Sequence, residues 1–267
     1  MKRASIVFAL AAALAGSTLA QQSASNTADV QTLQRYKEVN PKVIKARDLV
    51  SKREFEKAKK EIAIVMEKVP DHHEAHFLMA KVLYGEKNYA EALASMERAE
   101  KSFESVARLM SEMQDDRRAE LQKRRTEVQI GLNNLRGQMP ATPSDGNFSQ
   151  SAGLQSQIAR SEQMLNDIDR ELNANPIGAT EAKEPPEYAF FHGNILLRLQ
   201  KYTEAVAEYE QALTADPQYA DAANNLASLY YSAKQYPKAL EVLNRVEAKG
   251  ATVNPELKKA IQEAMPH

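Results

Sequence analysis

No cysteine occurs in the 267 residues, so no disulfide can brace the chain and its stability must come from helix packing. The same absence excludes a lipid-modified cysteine behind an export signal. Glycine and proline are sparse, 9 and 11, and they gather at a few junctions, the distribution of a helical protein. Neither sign of charge dominates: 35 basic residues face 36 acidic ones, which argues against a nucleic-acid binder and against a polyanionic tail. No apolar run is long enough to cross ~30 Å of hydrocarbon comfortably. A phosphate-cradling glycine loop, an HExxH pair and a nucleophile elbow are all missing. The serines and threonines have no histidine–carboxylate setting. No enzymatic activity and no cofactor are therefore expected.

The chain does contain a pattern of small and aromatic residues that returns at a step of 34. Phe55, Tyr89, Tyr202 and Tyr236 are each followed three residues later by Ala58, Ala92, Ala205 and Ala239. Nine residues before each aromatic stands Ala46, Ala80, Gly193 or Ala227. Small residues at fixed phase allow helices to approach closely where they cross. A fixed period of this size marks units that bury their apolar faces only by stacking on neighbours.

The period and these residues resemble the tetratricopeptide repeat, a helix–turn–helix unit of 34 residues. Four copies are placed at 39–72, 73–106, 186–219 and 220–253. In the clearest, Pro186 to Tyr219, Gly193 and Ala205 fall at the helix crossing, and Tyr202 is expected to fill the space between helices. Ala212 sits where the next repeat docks, and Pro217 ends the unit. The place of a large aromatic early in the first helix holds Lys42, His76, Ala189 and Ala223. The terminal proline is replaced by Glu104 and Ala251. Without a stop at 104, the second helix of copy two is expected to run on to about Arg136.

Tyr89 and Tyr202 stand 113 apart, 79 more than one period. This excess is expected to form an antiparallel coiled-coil hairpin over 107–174 with its tip at 138–152. Leu154, Ile158, Leu165, Ile168 and Leu172 supply a heptad seam, facing Leu121, Val128, Leu132 and Leu135. The linker 175–185 then lets the chain return, bringing the two repeat pairs near each other. Arg117, Arg118, Lys123, Arg124 and Arg125 interleave with Asp115, Asp116, Glu120 and Glu127 at helical spacing, the pattern of a solvated face. An acidic partner or an anionic lipid surface is the alternative.

Residues 1–20 have the layout of a cleaved export signal: Lys2 and Arg3, an apolar run from Ile6 to Ala15, and Thr18 and Ala20 at the cleavage positions. An exported location is expected, periplasmic in a two-membrane bacterium and otherwise secreted, without stable membrane insertion after cleavage. Residues 21–38 read as a flexible tether and leading helix, and 254–267 as a capping helix opened by Asn254 and Pro255.

Two clusters are candidates for recognition. His72, His73 and His76 have a spacing that can chelate a metal on a helix, although Asp71 and Glu74 also fit a helix cap at the same place. The resemblance implies a concave groove lined by the first helices. Its lining would include Phe190, Asn194, Arg198, Asn224, Asn225, Ser228 and Tyr231 in copies three and four. Copies one and two would add Val43, Arg47, Val50, Phe77, Lys81 and Tyr84. Asn194 and Asn225 stand where carboxylate-clamp members of the family place asparagines, whereas the clamp's lysine is replaced by Phe190. The function expected is a non-catalytic scaffold holding a protein or peptide segment. A spacer or homo-oligomer built on the coiled-coil arm is the alternative, and weak metal binding by the histidines a second one.

Overall fold

The computed structural model describes residues 24–139, 148–174 and 183–265. The expected export signal, the centre of the hairpin tip and most of the linker lie outside them. The described residues form ten helices and no strand: α1 (Ala24–Ser51), α2 (Phe55–Lys68), α3 (His73–Gly85), α4 (Tyr89–Gly137), α5 (Phe148–Ala174), α6 (Pro186–Arg198), α7 (Tyr202–Ala215), α8 (Ala220–Ser232), α9 (Tyr236–Glu247) and α10 (Pro255–Ala264). Among these residues no helix is long and apolar enough to cross a membrane.

The described residues divide into two compact units, one of 24–106 with 183–265 and the other of 107–139 with 148–174. In the first, the small residues of the repeat face inward. Ala46, Ala58, Ala80, Ala92, Ala205, Ala227 and Ala239 are all fully buried. Gly193 shows why size matters: a Cβ there would stand 2.7 Å from Tyr209 Cε1 and 2.9 Å from Cδ1. The buried Tyr209 ring of α7 therefore lies directly on the α6 backbone.

Each first helix ends in the same way. Arg53, Lys87, Gln200 and Lys234 have φ between 60° and 67°, each two residues before the repeat's aromatic. Paired backbone bonds close all four ends; at α8, Lys234 N–H donates to Tyr231 O at 2.9 Å and Gln235 N–H to Tyr230 O at 2.8 Å. This is the Schellman arrangement, which turns the chain sharply and satisfies the orphaned carbonyls. Glycine is usual at the left-handed position, and a side chain there costs roughly 1–2 kcal/mol.

Three sequence expectations need correction in this unit. The tether and leading helix are not separate from repeat one, because α1 runs unbroken from Ala24 through Pro41 to Ser51. Leu33, Tyr36, Val39, Val43, Ala46 and Leu49 form one buried stripe along it, and this burial offsets the backbone bond that Pro41 cannot make. Tyr202 does not fill an interhelical space and is 53% exposed. Phe55 at the same phase packs on Gly85, whereas thirty residues beyond Tyr202 stands Ser232, which offers no such notch. Finally, the cap of α3 is His72 rather than Asp71: its Nδ1 accepts from Ala75 N–H at 3.3 Å. Glu74 instead accepts from Arg47 Nε at 2.9 Å, across from α1.

The three histidines belong to the core. Tyr36 stacks on His72 at 4.4 Å, His72 on His73 at 5.6 Å, and Phe103 meets His73 edge-on at 5.5 Å. His73 Nδ1 and the Tyr188 hydroxyl share a 2.9 Å hydrogen bond, and His76 Nε2 lies 2.9 Å from Pro70 O. Each ring thus commits a nitrogen to a protein partner instead of to a shared point. Burial disfavours their charged forms, pushing His72 down to about 3, His73 to about 4, and His76 down as well.

In the second unit, α4 continues without a break and α5 runs antiparallel to it. Arg117 pairs with Glu171, Arg125 Nε with Asp169 at 2.6 Å, and Arg136 with Glu162 at 2.6 Å, so numbers rise along one arm as they fall along the other. Leu132, Leu165 and Ile168 are buried between them. The return arm begins at Phe148, inside the stretch assigned to the tip. The arginines Arg117 and Arg125 reach across to the facing helix rather than to the acidic residues interleaved on their own. Such exposed pairs contribute little individually, but they set which residues lie opposite.

Three outcomes follow from this packing. Gly193→Val should destabilise the protein by about 1–3 kcal/mol in urea titration, since the Tyr209 ring must be displaced. Lys234→Gly should raise stability by about 1 kcal/mol, because it relieves a left-handed side chain. The buried histidines bind protons more readily unfolded, near pH 6.5, than folded. Stability is then full above that value and lost as pH falls toward about 4. The urea midpoint should drop between pH 7 and pH 5, and His72→Asn, which keeps a cap but removes the titrating ring, should lessen the drop.

Candidate functional site

The first helices α3, α6 and α8 lie in succession although α3 and α6 are separated in the chain by the whole insertion. The contact between α3 and α6 is aromatic. Phe77 stacks on Tyr188 at 4.3 Å and meets Phe191 edge-on at 5.7 Å, while Tyr84 meets Phe191 at 5.2 Å. Lys81 Nζ sits 5.1 Å from the Phe77 centroid and 5.8 Å from that of Phe191, a cation–π arrangement. Arg198 Nε donates to the Tyr84 hydroxyl at 3.1 Å. Repeat two therefore meets repeat three through these rings, and Phe77 and Tyr84 contribute to the joint itself.

One further step along, α6 meets α8 through amides. The Tyr209 hydroxyl donates to Asn194 Oδ1 at 2.8 Å, and Asn225 Nδ2 donates to the same oxygen at 2.8 Å. Burial pushes the Tyr209 phenol up to about 12, so it remains a donor at neutral pH. With Asn194 Oδ1 doubly engaged, the amide orientations are set: Asn194 Nδ2 and Asn225 Oδ1 face away from that bond. No group among the described residues takes either. A donor and an acceptor on adjacent helices are the complement of a peptide bond.

The other groove candidates have structural duties. Phe190 packs its ring on Tyr219 at 5.0 Å and Tyr209 at 6.1 Å. Asn224 Oδ1 accepts from Asn254 N–H at 2.9 Å, tying α8 to the start of α10. Ser228 Oγ donates to Asn224 O at 2.7 Å, and Tyr231 lies 5.6 Å from Tyr236. Val43 is buried, and Arg47 pairs with Glu74. The structure thus joins Lys81, Tyr84 and Arg198 through contacts with Phe191 and each other, and joins Asn194 to Asn225 between α6 and α8.

Sequence reasoning missed a second group. His192, with no partner apparent in sequence, lies between Glu100 and Glu208: its Nδ1 is 2.9 Å from Glu100 Oε1 and 3.4 Å from Glu208 Oε1. Burial works against its charged form, but the Glu100 carboxylate and its acidic neighbours prevail and hold His192 above the ordinary value. Nearby Glu184 is pushed up to about 7 by burial and by Glu100. No signal in the sequence could have joined residues 92 apart across an insertion.

The tetratricopeptide-repeat model matches residues 45–107 and 192–253. No curated protein matches the chain. Among solved structures it is similar to pilF of Pseudomonas aeruginosa, with 17% identity over 86% of this chain and 87% of that one, at a TM-score of 0.36. It is also similar to TTC0263, a thermophilic TPR protein of Thermus thermophilus, with 13% identity over 85% and 98% and a TM-score of 0.36. A third is YrrB, a TPR protein with an unusual peptide-binding site, with 18% identity over 84% and 91% and a TM-score of 0.28. With their helix pairs and inward small residues, these two matched regions are tetratricopeptide repeats.

Proposed function

We propose that the protein is an interaction scaffold that holds an extended segment of another protein along the row Lys81–Arg198–Asn194–Asn225. The observation that carries this is the Asn194–Asn225 pair. Its bond to Tyr209 leaves one amide donor and one carbonyl acceptor side by side, suited to grip a backbone amide whatever the side chains of the segment. Lys81 and Arg198 add positive charge at the α3 end of the row, which favours a segment bearing a carboxylate there. Tyr84 and Phe191 supply apolar surface between the charges. Without a lysine at residue 190, this carboxylate belongs to an acidic side chain as readily as to a chain end. The export layout of residues 1–20 supports a location outside the cytoplasm as part of the same proposal.

Asn225→Ala should weaken binding of an acidic peptide about tenfold or more, since truncation leaves both the ligand amide and Asn194 short of partners. Arg198→Gln should weaken it too, and in a salt-dependent way. Fluorescence anisotropy with a panel of labelled acidic and neutral peptides, alongside circular dichroism of each variant, measures both. Equal binding by wild type and the folded Asn225→Ala variant would remove the row from the function.

A further inference from the structure

We propose that Glu100, His192 and Glu208 form a binding site for a first-row divalent cation, with zinc as its best fit, clasping the repeats on either side of the insertion. The three side chains come from three helices, α4, α6 and α7, and all are partly buried. One ligand atom from each lies within 4.8 Å of the others. Both carboxylates are directed at one nitrogen, His192 Nδ1, at 2.9 and 3.4 Å. Zinc–nitrogen and zinc–oxygen bonds of about 2.0–2.2 Å in a tetrahedron place ligand atoms about 3.3 Å apart, so small side-chain adjustments suffice.

The hydrogen-bonding alternative accounts for the group poorly. Nδ1 has a single proton to offer, yet two carboxylate oxygens converge on it. Among the described residues neither Glu100 nor Glu208 pairs with any lysine or arginine. Glu97 adds further negative charge beside them. Three carboxylates act on one imidazole, so the half-buried group carries an excess of negative charge. A divalent ion on Nδ1 would satisfy all three converging atoms at once, with water completing its shell. The imidazole ligand selects against calcium and magnesium, which prefer oxygen alone.

The clasp is separate from the row of peptide-facing residues and from the buried histidines of α3. Isothermal titration of the full chain with zinc chloride should show one site. His192→Ala and Glu208→Gln should each weaken that site at least tenfold, whereas His76→Gln should leave it unchanged. Zinc should also raise the melting temperature of the wild type and not of Glu208→Gln, a near-isosteric change that keeps the fold. Excess magnesium should not compete. Absence of zinc binding at 100-fold excess over protein, or binding that survives both His192→Ala and Glu208→Gln, would overturn the assignment and leave a hydrogen-bonded histidine between two glutamates.

Discussion

A run of ring contacts passes from Tyr36 through the stacked His72 and His73 to the tilted ring of Tyr188, with Phe77 and Phe103 against its flanks, and it joins the two halves of the repeat array. Tyr36 belongs to α1, the histidines to α3 and its cap, and Tyr188 to α6, so this one stack spans the break in the chain made by the insertion. Both of its hydroxyls have partners. The Tyr36 hydroxyl donates to Asp71 O at 2.8 Å, and the Tyr188 hydroxyl is bonded to His73. If neighbouring repeats bury their faces only against each other, a repeat pair displaced by an insertion must find its neighbour again or leave apolar surface exposed. The stack makes that contact, and the row of amides and cations depends on the spacing it imposes.

The arm itself is organised differently. Where the repeats rely on fully buried small residues and close crossings, the two helices of the arm bury few large side chains among their described residues. They are registered instead by arginine–carboxylate pairs from helix to helix. The middle of α4, QDDRRAELQKRRTE, is too polar to form a continuous apolar seam, and Arg117, Arg118 and Arg125 take partners on α5. These three basic residues belong to the pairing of the hairpin.

Much of the architecture was legible before any coordinates, and for a physical reason. Helix crossings tolerate only small side chains, so the alanines and Gly193 advertise their own burial, and their step of 34 announces the repeat. The missing stop at Glu104 likewise announced a helix that does not end. The remainder was hidden because it depends on contacts without local signature. Left-handed turns occupied by Arg53, Lys87, Gln200 and Lys234 have no glycine to betray them. Whether Tyr202 is buried depends on what stands at Ser232. His72 reads as a metal ligand until Tyr36 is seen stacked on it. The roles of the candidate recognition residues were not legible: Asn225 bonds Asn194, whereas Phe190 and Asn224 hold neighbouring elements in place.

The 49-residue helix α4 is at once the second helix of repeat two and the first half of the arm. Its backbone ladder has no loop in which a change of length could be absorbed. Within the arm, gaining or losing one residue between Arg117 and Leu132 would rotate the helix beyond it by about 100° and shift it by about 1.5 Å. Leu132 would then leave its buried face while Arg117 or Arg136 lost its partner. Insertions and deletions in this stretch are thus restricted to near-integral numbers of turns, about seven or eleven residues, matched by equal changes in α5. Lengthening of the arm in evolution would proceed by such quanta.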